Sequence, residues 1–159
     1  MPANLIDSVC EVLPPELVAA AADLVGERED LVRRSITAFV PVAMATFSGH
    51  AHQPGQLARF HDDVTGSRVD PLWIAPGTLA VIRQRLPSAL QAGRLAGAAL
   101  FGEHLEQAAR ALSASTDVRA SSAAVLIDLS FALVLSQLKR VAGEADLDAH
   151  QLGRILALQ

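Results

Sequence analysis

Apolar residues in LVRRSITAFVPVAMATF recur at steps of three and four: Leu31, Val32, Ile36, Phe39, Val40, Ala43, Met44 and Phe47. That spacing puts them on one face of an α-helix and is incompatible with a half-buried strand, whose apolar residues alternate. Pro41 stands in the middle of the run. It removes one backbone hydrogen bond and crowds the carbonyl four residues back, so the expectation is a kink that curves the helix around a core. The alternative is a hinge or break that opens carbonyls to a ligand. The same periodicity recurs through Val125, Leu126, Leu129, Leu133 and Leu138, and no stretch of useful length alternates like a strand. The fold class read from these patterns is all-α, a single domain of seven to nine helices.

Punctuation supplies the boundaries. Asn4 can cap a helix carrying Leu5, Ile6, Val9, Val12 and Leu13, and Pro14 stops it. Pro15 then suits the first turn of a helix that ends at Gly26. The long helix from about Arg28 is expected to end at Gly49, with Pro54 opening a fourth that turns Leu57, Phe60 and Val64 inward. TGSRVDPLWIAPG, residues 65–77, reads as a loop dividing the chain. Beyond it, Pro87 marks a break or new start, Gly102 to Leu112 reads as helix, Thr116 or Asp117 can cap the second long helix, and Asp148 can cap the last.

The second long helix also mirrors the first. With Ile36 set against Ile127, Val32 falls on Ala123, Val40 on Phe131, Met44 on Leu135 and Phe47 on Leu138. Farther on, QLARF (56–60) matches QLGRI (151–155). Residues 24–64 and 115–157 are therefore expected to be duplicated halves, joined through the 65–77 loop, each unable to bury its apolar face without the other.

Charge is sparse: 19% of the 159 residues are charged, 51% are hydrophobic, and the net charge is −4. No Lys/Arg run is present to capture nucleic acid or anionic lipid. No Lys, Arg, Asp or Glu stands between Arg34 and Arg59, yet the apolar part ends at Phe47, short of the ~20 residues a membrane span needs. Cys10 is the only cysteine, so no intrachain disulfide can form, and MPANLIDSVCEV lacks the basic and apolar regions of a secretory signal. The expectation is a cytoplasmic protein without a transmembrane segment.

Few residues point to chemistry. His50, His52 and His61, with Asp62 and Asp63 beside them, have some metal-ligand character, but their spacing matches no established zinc pattern and solvated histidines are the plainer reading. Asp128 sits inside the apolar AVLIDLSFALVL, where it faces solvent, pairs with an arginine, or acts as an acid/base group. Glu27, Glu29 and Asp30 suit a helix start. Ser121, Ser122 and Ser130 lack nucleophile-elbow glycines. LAGAALFG is no phosphate loop; Gly93 and Gly97, with Ala96 and Ala98, more simply let two helices approach closely. Leu72, Trp73 and Ile74, stiffened by Pro71 and Pro76, form the candidate interaction segment. It is expected to fold back over the gap between the halves, with anchoring of a partner as the alternative.

Three stretches resemble the YidB-like bacterial domain of unknown function: LVGEREDLVRRSITAFVPVAMATFSGHAHQPGQLARF with its mid-helix Val-Pro and downstream Pro-Gly, LAGAALFGEHLEQAARALSAST with its Leu-Phe-Gly, and DLSFALVLSQLKR leading into LDAHQLGRIL. The chain would be a divergent member, because the second-half proline is Ala132 and expected glycines are Ala45 and Ser136. Some relatives carry an OmpA-like peptidoglycan-binding domain after this unit, and none is expected in these residues. The resemblance implies a multihelical fold and supplies no activity. The function expected is a non-enzymatic protein–protein interaction module, whose apolar surface is covered by a partner or a second copy. The alternatives are a metal-assisted hydrolase at His50, His52 and His61, or a carrier of an apolar small molecule. No cofactor and no nucleic acid are expected.

Overall fold

The computed structural model describes residues 4–11, 13–67 and 79–159. Among them are eight α-helices: α1 Leu5–Glu11, α2 Pro15–Val25, α3 Glu29–Ala51, α4 Leu57–Thr65, α5 Leu79–Phe101, α6 Leu105–Thr116, α7 Ala120–Glu144 and α8 Ala149–Ala157. A short 3-10 turn, Gly102–His104, joins α5 to α6. No strand occurs among the described residues.

α7 is the axle. Every residue from Leu129 to Leu138 is buried, because α3, α5 and α6 pack along it from different sides. It is long and apolar enough to cross a membrane, but 78% of its most apolar window is already buried by neighbouring helices. A helix that is hydrophobic all round is what the centre of a bundle requires. All five phenylalanines of the chain meet here. The Phe131 ring takes Phe39, Phe47 and Phe101 edge-on, each with ring centroids 5.7 Å away, and Phe60 joins through Phe47 at 6.0 Å. Such edge-to-face contacts add to simple area burial.

α5 lies closest to α7, and two glycines are the reason. A Cβ on Gly93 would stand 1.8 Å from the Asp128 carbonyl oxygen, and one on Gly97 would stand 3.1 Å from the Phe131 ring. The close-approach reading of these glycines holds. Ile82, Leu86 and Ala89 continue the same buried stripe. α2 sits against both α3 and α5, α1 against α3 and α7, and α4 pairs with α8.

Local signals worked where the partner lies close in sequence. The Asn4 carboxamide oxygen accepts from the Ile6 amide at 3.0 Å. Gly26 ends α2 in the left-handed conformation at φ +68°, its amide donating to the Ala22 carbonyl. Asp148 and Gln151 form a reciprocal capping box on α8. Several boundaries differ from expectation. α3 runs unbroken through Pro41, the reading favoured over a break, but continues past Gly49 to Ala51. Pro54 lies in the turn ahead of α4 rather than at its first residue, and Pro87 lies inside an uninterrupted α5. Pro87 is exposed, on a side of the helix where water is available to backbone groups deprived of a partner. Gly102 and the two residues after it form the 3-10 turn, so α6 begins only at Leu105.

Neither Thr116 nor Asp117 caps α7. Asp117 instead ends α6 at φ +63°, and the Thr116 hydroxyl donates to the Leu112 carbonyl at 2.7 Å. The cap of α7 comes from across the fold. The Glu27 carboxylate accepts from the Arg119 amide at 3.1 Å, the Arg119 side chain at 2.9 Å and the Ser122 hydroxyl at 2.9 Å. Arg119 in return donates to the Val25 carbonyl at 2.6 Å. These bonds, led by the Arg119 amide, hold the Glu27 carboxyl below its ordinary range. Glu27 therefore serves a different helix from the one it precedes.

Candidate binding groove

α4 and α5 both lean on α7, and between them lies a groove of about 510 Å³. One wall is the face of α5 on which Ser88, Gln91, Ala92, Leu95, Ala96 and Ala99 follow at steps of three and four, beside the glycine stripe that meets α7. Alanine where a bundle would ordinarily place leucine leaves the depression unfilled. Phe60, Asp63 and Val64 of α4 make the opposite wall, with Phe47 and His50 from the end of α3, and Leu135 of α7 lies at its base. Leu95 is 66% exposed at the groove although it is a large apolar side chain. The interior is hydrocarbon and aromatic, while His50, Asp63, Ser67, Ser88 and Gln91 supply polar groups.

The three histidines do not converge. The His52 ring lies between two backbone carbonyls, Nδ1 at 2.7 Å from Ser48 and Nε2 at 3.1 Å from Gly153. His61 Nε2 donates to the Leu147 carbonyl at 2.7 Å, linking α4 to the turn before α8. His50 is half-buried, its ring 6.4 Å from that of Phe60. Among the described residues no group of three or more His, Cys, Asp or Glu is arranged to hold a metal ion. His61 is thus a structural tie rather than the solvated side chain expected, while His52 is exposed as expected and also ties α3 to α8.

Asp128 pairs with Arg94 at 3.5 Å, the arginine outcome of the readings open for it. Its side chain is only 13% exposed, and burial lifts its carboxyl above the ordinary range despite the opposing pull of Arg94. It lies at a second, smaller cavity of about 340 Å³ lined also by Ile127, Leu105 and Ala109. The hydroxyls of Ser130 and Ser136 donate to carbonyls of their own helix, Leu126 at 2.8 Å and Ala132 at 2.7 Å, and Ser122 donates to Glu27. Cys10 is a free thiol, pushed up chiefly by burial and secondarily by Asp7. Leu72, Trp73 and Ile74 lie outside the described residues.

The groove was not found from sequence. Its signal is present: the alanines at 92, 96 and 99 share one face of α5 with Leu95, next to the glycine face that attracts attention first. A stripe of small residues has two possible neighbours, a close helix or open space, and only the packing chooses between them.

Comparison with curated proteins and with solved structures yields no match. The family model described as "Bacterial protein of unknown function (DUF937)" matches residues 7–140, most of the chain, and is consistent with the YidB-like resemblance; the chain belongs to that family.

Proposed function

We propose that this is a non-enzymatic binding module whose groove between α4 and α5 takes up the hydrocarbon part of a small molecule. The observation that carries the reading is the groove itself. About 510 Å³ with an apolar interior and few polar groups falls within the ~300–1,000 Å³ range of small-molecule sites. A cytoplasmic setting belongs to this reading, and the free Cys10 thiol is in keeping with a reducing compartment.

The protein-interaction role remains as a second reading, favoured by Leu95. A leucine 66% exposed beside an apolar groove is a contact that a partner's side chain would cover. We further propose that α3–α4 and α7–α8 are duplicated units. The pairing of α3 with α7 and of α4 with α8 is in keeping with two-fold related copies, as is the packing of Leu57 against Gly153, one residue past its match Leu152.

The test is the neutral fluorescent probe N-phenyl-1-naphthylamine, whose emission rises in apolar surroundings. The wild type is expected to enhance it saturably, and Ala96→Phe, which fills the groove, to abolish the enhancement. Ala99→Phe provides the same test at an exposed position should Ala96→Phe fail to fold. Absence of saturable enhancement, or unchanged binding by both folded variants, rules the reading out.

A further inference from the structure

Building on the groove as a small-molecule site, we infer that its ligand is an amphiphile whose head group is not anionic, with a cationic head bound most tightly. The polar groups that line the groove decide this. Of the described residues lining it, Asp63 contributes the one carboxylate, His50 an imidazole, Ser67 and Ser88 hydroxyls and Gln91 a carboxamide. Among the described residues lining it, no Lys or Arg is present to receive a carboxylate or phosphate. The Lys139 ammonium does not line the groove and is held by the Ser67 carbonyl. Net charge of −4 adds a further, weaker bias against anions.

The hydrocarbon chain of such a ligand lies along Ala92, Ala96 and Ala99, against the Phe47 and Phe60 rings. Its head remains at the mouth, where Asp63 is exposed and water completes its solvation. A chain that buries its tail while keeping its head in water loses no head-group hydration, so the head's charge acts through Asp63 rather than through burial. A unit charge near 4 Å in water changes binding about fivefold, and cationic and anionic heads feel Asp63 with opposite sign.

Three ligands with the same twelve-carbon chain test the inference: dodecylammonium, dodecanol and dodecanoate. Each is used below its micellar concentration at neutral pH to displace N-phenyl-1-naphthylamine from the full chain. Dodecylammonium is expected to bind tightest, dodecanol next, and dodecanoate at least about fivefold more weakly than dodecylammonium. Asp63→Lys, a change at an exposed position, is expected to reverse the order of the two charged ligands while leaving dodecanol unchanged. Dodecanoate equal to or tighter than dodecylammonium in the wild type overturns the head-group inference and leaves the groove standing. So does an order that Asp63→Lys does not move. Failure of all three to displace the probe overturns the groove reading and this inference with it.

Discussion

Gly93 and Gly49 both sit inside long helices, yet an added methyl group meets opposite surroundings at the two positions. At Gly93 it would stand 1.8 Å from a backbone oxygen of α7, whereas nothing lies within 4 Å at Gly49. Gly93→Ala is therefore expected to cost ~3 kcal/mol or more, the upper end of overpacking, since two helix backbones must part. Gly49→Ala should stabilise by about 0.5–1 kcal/mol, the helix-interior difference between the two residues. Urea unfolding of both variants checks the pair, and equal effects would contradict the α5–α7 approach. Asp128 yields a pH prediction. Its carboxyl is raised above 3.8, so the native state holds the proton more tightly than the unfolded chain. Stability is then highest below that ordinary value and falls as pH rises through the folded value, after which the ionised group carries a constant penalty. Asp128→Asn should gain on the wild type across this window and stay ahead at neutral pH. A stability difference that does not change with pH would remove the buried-carboxylate account.

Between elements, the decisive contact is α3 on α7. Ile36 and Ile127 are 0% and 1% exposed, and Ile36→Ala and Ile127→Ala should each cost ~2–5 kcal/mol. Thermal melts read this directly, and an unmoved melt for either variant would place that helix outside the core. Both residues were legible in the sequence because helical periodicity marks the buried face without reference to any partner. The start of α7 was not. Its cap, Glu27, is 92 residues from Arg119, and no local pattern announces a carboxylate arriving from another helix junction. Pro87 was misread for a related reason. A proline's cost inside a helix depends on what surrounds the backbone groups left unpaired, and exposure of that side is a property of the assembled bundle.

For the molecule as a whole, burial is graded from α7 outward, and stability should be graded with it. Amides from Leu126 to Leu138 are expected to exchange with solvent only through global unfolding, and those of α1, a short helix held mainly against α3 and α7, through local opening. Native-state hydrogen exchange measures this. Equal protection in α1 and α7 would mean that the chain opens as one unit and that the gradient of burial has no energetic counterpart.

The amino-acid sequence by itself determined the all-helical class, the buried faces of α3 and α7, the caps at Asn4 and Asp148, the left-handed stop at Gly26 and the close approach at Gly93 and Gly97. Each depends on spacing or on a residue whose partner lies within a few positions, or on a side chain too small to allow another outcome. Tertiary structure alone decided that His52 and His61 tie helices together, that Glu27 caps a distant helix, and that the alanines of α5 open a groove instead of closing a contact. Those outcomes depend on which surfaces meet, and an imidazole, a carboxylate or a methyl group carries no record of its neighbour until the helices are in place.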